Sequence, residues 1–140
     1  MKKILVATEK PFAKNAVDGI KKIVEEAGYK MELLENYTQK NELLKVVPDV
    51  DAIIIRSDIV DNEVLEASKK LKIVVRAGAG YDNIDLASAK EKGVVAMNTP
   101  GQNSNAVAYL ARGMMVLAAR HNFNGKSRTE LRGKQRGLHA

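Results

Sequence analysis

Short apolar runs alternate with longer amphipathic segments along most of the chain. The runs are only a few residues long and rich in β-branched side chains, which is typical of buried strands, whereas the segments between them repeat their apolar positions at helical spacing. The pattern therefore predicts five strands, each followed by a helix. The strands are predicted over residues 3–7, 29–34, 52–55, 73–75 and 94–97.

Most of the predicted helices have a recognisable end. Glycine readily adopts the left-handed conformation that ends a helix, and Gly28 and Gly93 stand where the first and fourth helices should stop. Asp61 or Asn62 is expected to cap the third helix and Asp85 the fourth, because their side-chain oxygens can accept hydrogen bonds from the first backbone N–H groups. The helices are predicted over residues 16–27, 42–47, 61–71, 86–92 and 103–120.

Repeated strand–helix units require a parallel sheet with right-handed crossovers. Five such units are the full set of a flavodoxin-like domain, so we expect an α/β doubly wound three-layer sandwich whose five-stranded parallel sheet has the order 2-1-3-4-5. We place this lobe at residues 1–120, including a crossover helix over about 103–120, and expect residues 121–140 to be a loose basic tail. The fifth helix is rich in small residues, which indicates close packing against a neighbour.

The composition narrows the class of protein. A chain of 140 residues, 45% hydrophobic and 29% charged, is long enough for one domain with a buried core. No window holds the roughly 18 uncharged apolar residues that a membrane helix needs, and the first apolar run is too short for a signal peptide. We therefore expect a cytoplasmic protein without a membrane partner. The absence of cysteine excludes disulfides and thiolate metal sites.

The net charge of +6 is concentrated at the carboxyl end of the chain. Residues 1–119 hold 17 basic and 16 acidic side chains, whereas residues 120–140 hold six basic side chains and Glu130. Such a tail could bind nucleic acid, but it has one aromatic residue, Phe123, and no run of consecutive charges. We interpret it as a solvated end and expect no nucleic-acid partner.

The residues that follow the strands carry the candidate chemistry, because the ligand crevice of an open parallel sheet lies beyond the carboxyl ends of its strands. Arg56 and Arg76 directly follow the third and fourth predicted strands, and Gly78 and Gly80 come soon after Arg76. Arginine binds carboxylate or phosphate through a planar fork, and glycine lets backbone N–H groups approach an anion. The combination predicts a site for a small acidic molecule at this edge.

Each part of this site also has a simpler interpretation. The two arginines could be solvated, or paired with Asp58 and Asp82, and the glycines could serve only a tight turn. The turn at residues 78–80 is followed by Asn83 where a dinucleotide fingerprint has its third glycine, so it is a weak nucleotide motif.

Other side chains offer little further chemistry. His121 and His139 lie outside the predicted sandwich core and have no carboxylate at metal-ligand spacing, so we expect neither a metal site nor a catalytic histidine. Tyr29, Tyr37 and Tyr81 are interpreted as packing residues whose hydroxyl groups lie in water. No acid–base pair is evident, and we assign no catalytic residue.

Two long ordered blocks carry a resemblance. Residues 73–85, IVVRAGAGYDNID, and residues 93–101, GVVAMNTPG, together with residues 55–57 and 103–108, resemble the D-2-hydroxyacid dehydrogenases. Within that family the chain looks most like the D-3-phosphoglycerate dehydrogenase branch, over essentially its whole length. The resemblance implies the flavodoxin-like substrate-binding lobe of an NAD-dependent oxidoreductase in serine biosynthesis.

The resemblance also implies roles for residues of the candidate site. Arg76, with the backbone at Ala77 and Gly78, would lie against the substrate carboxylate, and Arg56 and Ser57 match residues that contact the substrate's other acidic groups. The family's NAD-binding loop and its catalytic arginine, glutamate and histidine would follow residue 140. We therefore expect no cofactor and no turnover in this chain, and weak affinity for a phosphorylated or dicarboxylic acid.

Three positions depart from the family pattern. Tyr109, Arg112 and Arg136 stand where the family usually has glutamate, a small or apolar residue, and an apolar strand residue. These changes suit a helix without its partner domain, so we interpret the chain as a truncated and redesigned lobe, either a monomer or a homodimer through the helix at 103–120. The alternative is a free-standing flavodoxin-like scaffold or binding module without catalytic activity. The flavin-binding and phospho-accepting versions lack their usual site residues after the first strand.

Overall fold

The computed structural model describes residues 1–119, and its centre is a five-stranded sheet in the order 2-1-3-4-5. All four strand pairs are parallel, which confirms the α/β doubly wound fold. Parallel neighbours need crossover connections, and a helix follows every strand. The strands are β1 (Lys3–Thr8), β2 (Lys30–Glu35), β3 (Ala52–Ile55), β4 (Ile73–Arg76) and β5 (Val95–Met97).

Five α-helices connect or follow the strands, and a 3₁₀ turn follows the second helix. The predicted caps are confirmed. Asp61 accepts a hydrogen bond of 3.2 Å from the N–H of Val64. Asp85 accepts one of 3.0 Å from the N–H of Ser88. The helices are α1 (Lys14–Glu26), α2 (Lys40–Val46), α3 (Asn62–Ala67), α4 (Leu86–Glu91) and α5 (Ser104–Ala119), and the 3₁₀ turn is Val47–Asp49.

The third helix is shorter than its apolar pattern predicts. It ends at Ala67 because the hydroxyl of Ser68 donates to the Val64 carbonyl at 2.7 Å and the Ser68 backbone is extended. The chain then turns, and Leu71 enters the core at 7% exposure. The apolar positions up to Leu71 therefore belong partly to a helix and partly to the turn behind it.

The main core lies on one face of the sheet. Leu5, Ile53 and Val74 are aligned across β1, β3 and β4 and are fully buried against residues of α2, α3 and α4. Val6 of β1 and Val24 of α1 are also buried but lie outside this cluster. Because successive strand side chains point to opposite faces, α1 covers the other side of the sheet. Helices on both faces complete the three layers.

The chain divides into two compact units, Met1–Pro100 and Gly101–Ala140. The first holds the sheet and α1 to α4, and the described part of the second consists mainly of α5. The extension of the lobe to residue 120 stays a prediction. The basic tail lies outside the described residues, with His121, His139 and Arg136. Among residues 1–119, no helix is long and apolar enough to cross a membrane.

Candidate functional site

The carboxyl ends of β3 and β4 place two arginines side by side. The strands are parallel with Ile55 opposite Arg76, so Arg56 leaves β3 one residue beyond this pair. The Nε of Arg76 donates a hydrogen bond of 2.9 Å to the backbone carbonyl of Arg56. The two arginines singled out by the sequence therefore meet at the carboxyl edge of one sheet.

The glycine turn after β4 makes room for the side chain of Arg76. A Cβ on Gly80 would stand 2.5 Å from Nη1 of Arg76, and a Cβ on Gly78 would stand 3.2 Å from Cζ. Neither glycine has a positive φ. The next loop holds the turn, because Nδ2 of Asn98 donates to the Ala79 carbonyl at 2.6 Å. The guanidinium of Arg76 thus lies across the turn, in space that a Cβ on Gly80 would take.

The backbone N–H groups of this turn fall into two pairs. Ala77 donates to the Ile55 carbonyl at 2.8 Å and Gly78 donates to the Arg76 carbonyl at 2.9 Å. The N–H groups of Ala79 and Gly80 have no acceptor within residues 1–119. The donors open to an anion therefore lie just beyond the two positions that the resemblance implied.

A buried carboxylate joins the loops of this edge. Asp58 is 3% exposed, and its Oδ1 accepts from the Tyr37 hydroxyl at 2.5 Å and from the Glu9 N–H at 2.8 Å. Its Oδ2 accepts from the Arg56 N–H at 3.3 Å. The backbone carbonyl of Asp58 accepts from Nδ2 of Asn83 at 2.7 Å. Asp58, in the loop after β3, thus contacts the loops that follow β1, β2 and β4.

The prediction that the Tyr37 hydroxyl lies in water is wrong. Its side chain is 5% exposed, and its hydroxyl contacts Asp58 rather than water. Burial, together with the hydrogen bond to this carboxylate, raises the pKa of Tyr37 above its ordinary value. Tyr29 and Tyr81 are exposed, as expected of tyrosines with a hydroxyl in water. The only sequence signal for Asp58 was a polar residue soon after a buried strand.

Neither Arg56 nor Arg76 forms a salt bridge within the described residues, although a Cβ on Gly80 would have both Nη1 of Arg76 and Oδ1 of Asp82 nearby, at 2.5 and 3.1 Å. Among residues 1–119, no carboxylate oxygen lies within 4 Å of a guanidinium nitrogen of Arg56 or Arg76. Asp58 uses its oxygens on two backbone N–H groups and one hydroxyl. The interpretation of Asp58 and Asp82 as ion-pair partners of these arginines is therefore wrong.

A pocket of about 430 Å³ opens between the loops that follow β3 and β4. Its polar lining consists of Ser57, Asp61, Asp82, Asn83 and Asp85. Oδ1 of Asn83 is buried and has no partner among residues 1–119. The carboxylates of this pocket disfavour an anion, so an acidic ligand fits the arginine side of the edge. The described part of the chain has no group of three histidine or carboxylate side chains that could hold a metal ion.

The turn at residues 78–80 and the helix after it do not fit the pyrophosphate of NAD. A dinucleotide pyrophosphate binds where a glycine-rich turn leads directly into a helix, against the N–H groups of its first turn. After the turn at residues 78–80 the next helix is α4, and the carboxylate of Asp85 already accepts the N–H of Ser88 there. Hydrogen bonds from the backbone and hydroxyl of Ser88 lower the pKa of Asp85, which keeps it charged. A negative charge thus stands where a pyrophosphate would bind.

These features define a doubly wound α/β lobe with two arginines at the carboxyl ends of β3 and β4. The model of the family described as "D-isomer specific 2-hydroxyacid dehydrogenase, catalytic domain" matches residues 6–131. The chain belongs to this family, which confirms the resemblance seen in residues 73–85 and 93–101.

Curated relatives agree with this assignment. The hydroxypyruvate reductase of Thermotoga maritima is 47% identical over 92 residues, which cover 65% of this chain and 30% of that protein. The D-3-phosphoglycerate dehydrogenase of Methanocaldococcus jannaschii is 42% identical over 122 residues, which cover 86% of this chain and 22% of that protein. The chain thus spans less than a third of the length of either relative.

Solved structures share the fold. NAD⁺-bound 3-phosphoglycerate dehydrogenase of Entamoeba histolytica matches with a TM-score of 0.86 and 48% identity, covering 93% of this chain and 43% of that one. Apo D-lactate dehydrogenase of Escherichia coli matches with a TM-score of 0.66 and 26% identity, covering 94% of this chain and 43% of that one. The first of these shows that a relative of this chain binds NAD⁺.

Proposed function

We propose that the chain is the substrate-binding lobe of an NAD-dependent 2-hydroxyacid dehydrogenase, and that its edge at β3 and β4 binds a phosphorylated or dicarboxylic 2-hydroxy or 2-keto acid. One observation carries this proposal: Arg56 and Arg76 lie together with no carboxylate within 4 Å among residues 1–119. Two such guanidinium groups favour an anion, since each can bind a carboxylate or phosphate through two parallel hydrogen bonds.

The groups of the edge suit two different ends of such a ligand. The guanidinium of Arg76 lies over the backbone of residues 78–80, in which the N–H groups of Ala79 and Gly80 have no backbone acceptor among residues 1–119. We assign this part to the carboxylate of the ligand. Arg56 is exposed, which supports its contact with a second acidic group, whereas Ser57 also lines the pocket with Asp61, Asp82 and Asp85.

The second arginine favours a ligand with two acidic groups. Several relatives are named D-3-phosphoglycerate dehydrogenase, and another is named hydroxypyruvate reductase. 3-Phosphoglycerate carries a carboxylate and a phosphate, whereas hydroxypyruvate carries one carboxylate. We therefore propose 3-phosphoglycerate as the better ligand of this edge.

We further propose that this chain binds its acid without turnover. Hydride transfer needs a bound nicotinamide, and the glycine turn at residues 78–80 does not fit the pyrophosphate of NAD. The alternative function, a scaffold or binding module without a ligand, predicts no response to any of these acids. We also propose a homodimer through α5, because Val107, Leu110 and Met114 share one helix face and are exposed.

A heteronuclear NMR titration of the chain tests the proposal. With 3-phosphoglycerate we expect the amides of Arg56, Ser57 and residues 77–80 to shift, and with hydroxypyruvate we expect the same residues to shift at about tenfold weaker affinity, the cost of one charged contact. With NAD we expect no shift. Silence from both acids would contradict the binding proposal and favour the scaffold, and shifts with NAD would contradict the proposed lack of a cofactor site.

A further inference from the structure

The buried carboxylate of Asp58 accepts hydrogen bonds beneath the loop that carries Arg56, and ligand binding by Arg56 and Arg76 alone does not explain these contacts. It is 3% exposed, and each of its oxygens accepts from the backbone of a different loop. Oδ1 serves Glu9 and Tyr37, which follow β1 and β2. Oδ2 serves only the N–H of Arg56, in the candidate site itself. Oδ1 therefore contacts the loops after β1 and β2, whereas Oδ2 contacts the residue proposed to face the ligand.

We propose that Asp58 is a positioning residue, whose Oδ2 holds the backbone of Arg56 so that the guanidinium of Arg56 faces the ligand. This inference rests on the proposed function, because it concerns the same site. Asp58 does not touch the ligand, since its carboxylate is buried beneath the loop.

The neighbouring contacts explain why one weak hydrogen bond matters here. The carbonyl of Arg56 accepts from Nε of Arg76, so the peptide groups on both sides of Arg56 are held by side chains. The carbonyl of Asp58 is held in turn by Asn83. If Oδ2 no longer accepts from the Arg56 N–H, the loop still has the hydrogen bond from Asn83 to the Asp58 carbonyl. It loses the hydrogen bond that orients the backbone of Arg56.

Two substitutions separate the two oxygens. In Asp58→Asn the amide oxygen can still accept from Glu9 and Tyr37, and the new NH₂ group then faces the N–H of Arg56, where two donors oppose each other. In the matched control Tyr37→Phe the Oδ1 atom loses one donor, while the contact of Oδ2 with Arg56 remains. Both changes remove a hydrogen bond to the same buried group, so both are expected to lower stability.

The experiment compares 3-phosphoglycerate affinity with stability in the two variants. Asp58→Asn is expected to bind about three- to tenfold more weakly than the parent chain, because losing the contact with the Arg56 N–H costs about as much as one ordinary hydrogen bond. Tyr37→Phe keeps that contact, so it is expected to bind within about twofold of the parent chain. Equal affinity losses in both variants, or parent-like affinity in Asp58→Asn, would overturn the proposal.

Hydrogen exchange of the Arg56 amide in the free protein gives a second readout that does not depend on a ligand. Exchange of the Arg56 amide is expected to be faster in Asp58→Asn than in Tyr37→Phe. The comparison is made after correcting each rate for the variant's stability, which urea unfolding measures. Equal exchange rates would overturn the positioning role. If the parent chain does not bind 3-phosphoglycerate, the proposed function fails, while this exchange rate still decides whether Asp58 positions Arg56.

Discussion

The guanidinium of Arg76 occupies the space that Gly80 leaves open. A Cβ on Gly80 would stand 2.5 Å from Nη1, far closer than two such atoms can approach. A Cβ on Gly78 would stand 3.2 Å from Cζ of Arg76, a tight contact that a small shift of the side chain relieves. The turn therefore needs small residues so that the arginine can lie over it, close to the N–H groups proposed to bind the ligand.

Gly80→Ala is expected to displace the guanidinium of Arg76 and to weaken 3-phosphoglycerate binding by about tenfold, the effect of misplacing one bidentate group. The stability should change by less than about 1 kcal/mol, because Gly80 lacks a positive φ and the displaced atom ends a flexible side chain. NMR titration and urea unfolding measure the two effects.

Gly19→Ala is the matched control for this substitution. Gly19 lies within α1 and a Cβ there meets nothing within 4 Å, so alanine should stabilise the chain by about 0.5–1 kcal/mol and leave binding unchanged. Parent-like affinity in Gly80→Ala would contradict the role of Arg76 in the site.

Arg76→Lys tests whether the fork of the arginine, rather than its charge, binds the ligand. Lysine keeps the positive charge but loses the planar pair of donors and the hydrogen bond from Nε to the Arg56 carbonyl. We expect about tenfold weaker binding of 3-phosphoglycerate, measured by calorimetry. Lys90→Arg, on α4, is a control for a general change in basic side chains. Unchanged affinity in Arg76→Lys would leave charge alone as the binding determinant.

Acid should weaken the chain partly through Asp49. Hydrogen bonds to Lys3 and Lys70 lower the pKa of the Asp49 carboxyl from its ordinary value of 3.8 to about 2. Because the folded pKa is the lower one, its contribution to stability is complete above about pH 4 and is lost as the pH falls towards 2. Urea unfolding of the parent and Asp49→Asn should differ at pH 5 and converge at pH 2. A difference that persists at pH 2 would contradict this assignment.

Leu110→Lys is expected to prevent the proposed homodimer, because a charge on the apolar face of α5 cannot be buried against a second copy without a large desolvation cost. Tyr109→Lys is the control, since Tyr109 is 73% exposed. It lies about 100° around the helix from Leu110, on the side away from Val107 and Met114. Sedimentation equilibrium should give a dimer for the parent and for Tyr109→Lys, and a monomer for Leu110→Lys. A monomeric parent chain would contradict the dimer.

Sequence patterns predicted the strands and helices because these depend on local periodicity. Ile53 and Ile55 of β3 alternate with Ile54 in burial, yet a continuous apolar run with polar residues at both ends was enough to identify the strand. The Asp61 and Asp85 caps were also predictable, since a cap and its N–H partner lie three residues apart. The end of α3 was not, because the side chain of Ser68 competes with the helix for its own carbonyl groups.

The sequence by itself determined the parallel order of the sheet, and hence the edge where Arg56 and Arg76 meet. Only the tertiary structure decided what each polar group of that edge contacts. Asp58 and Tyr37 are 21 residues apart, and their contact at 2.5 Å exists only because β1 lies between β2 and β3 and brings the three loops together. Periodicity records which face of an element is buried. The partner of a buried polar atom depends on where distant loops end, which no local pattern contains.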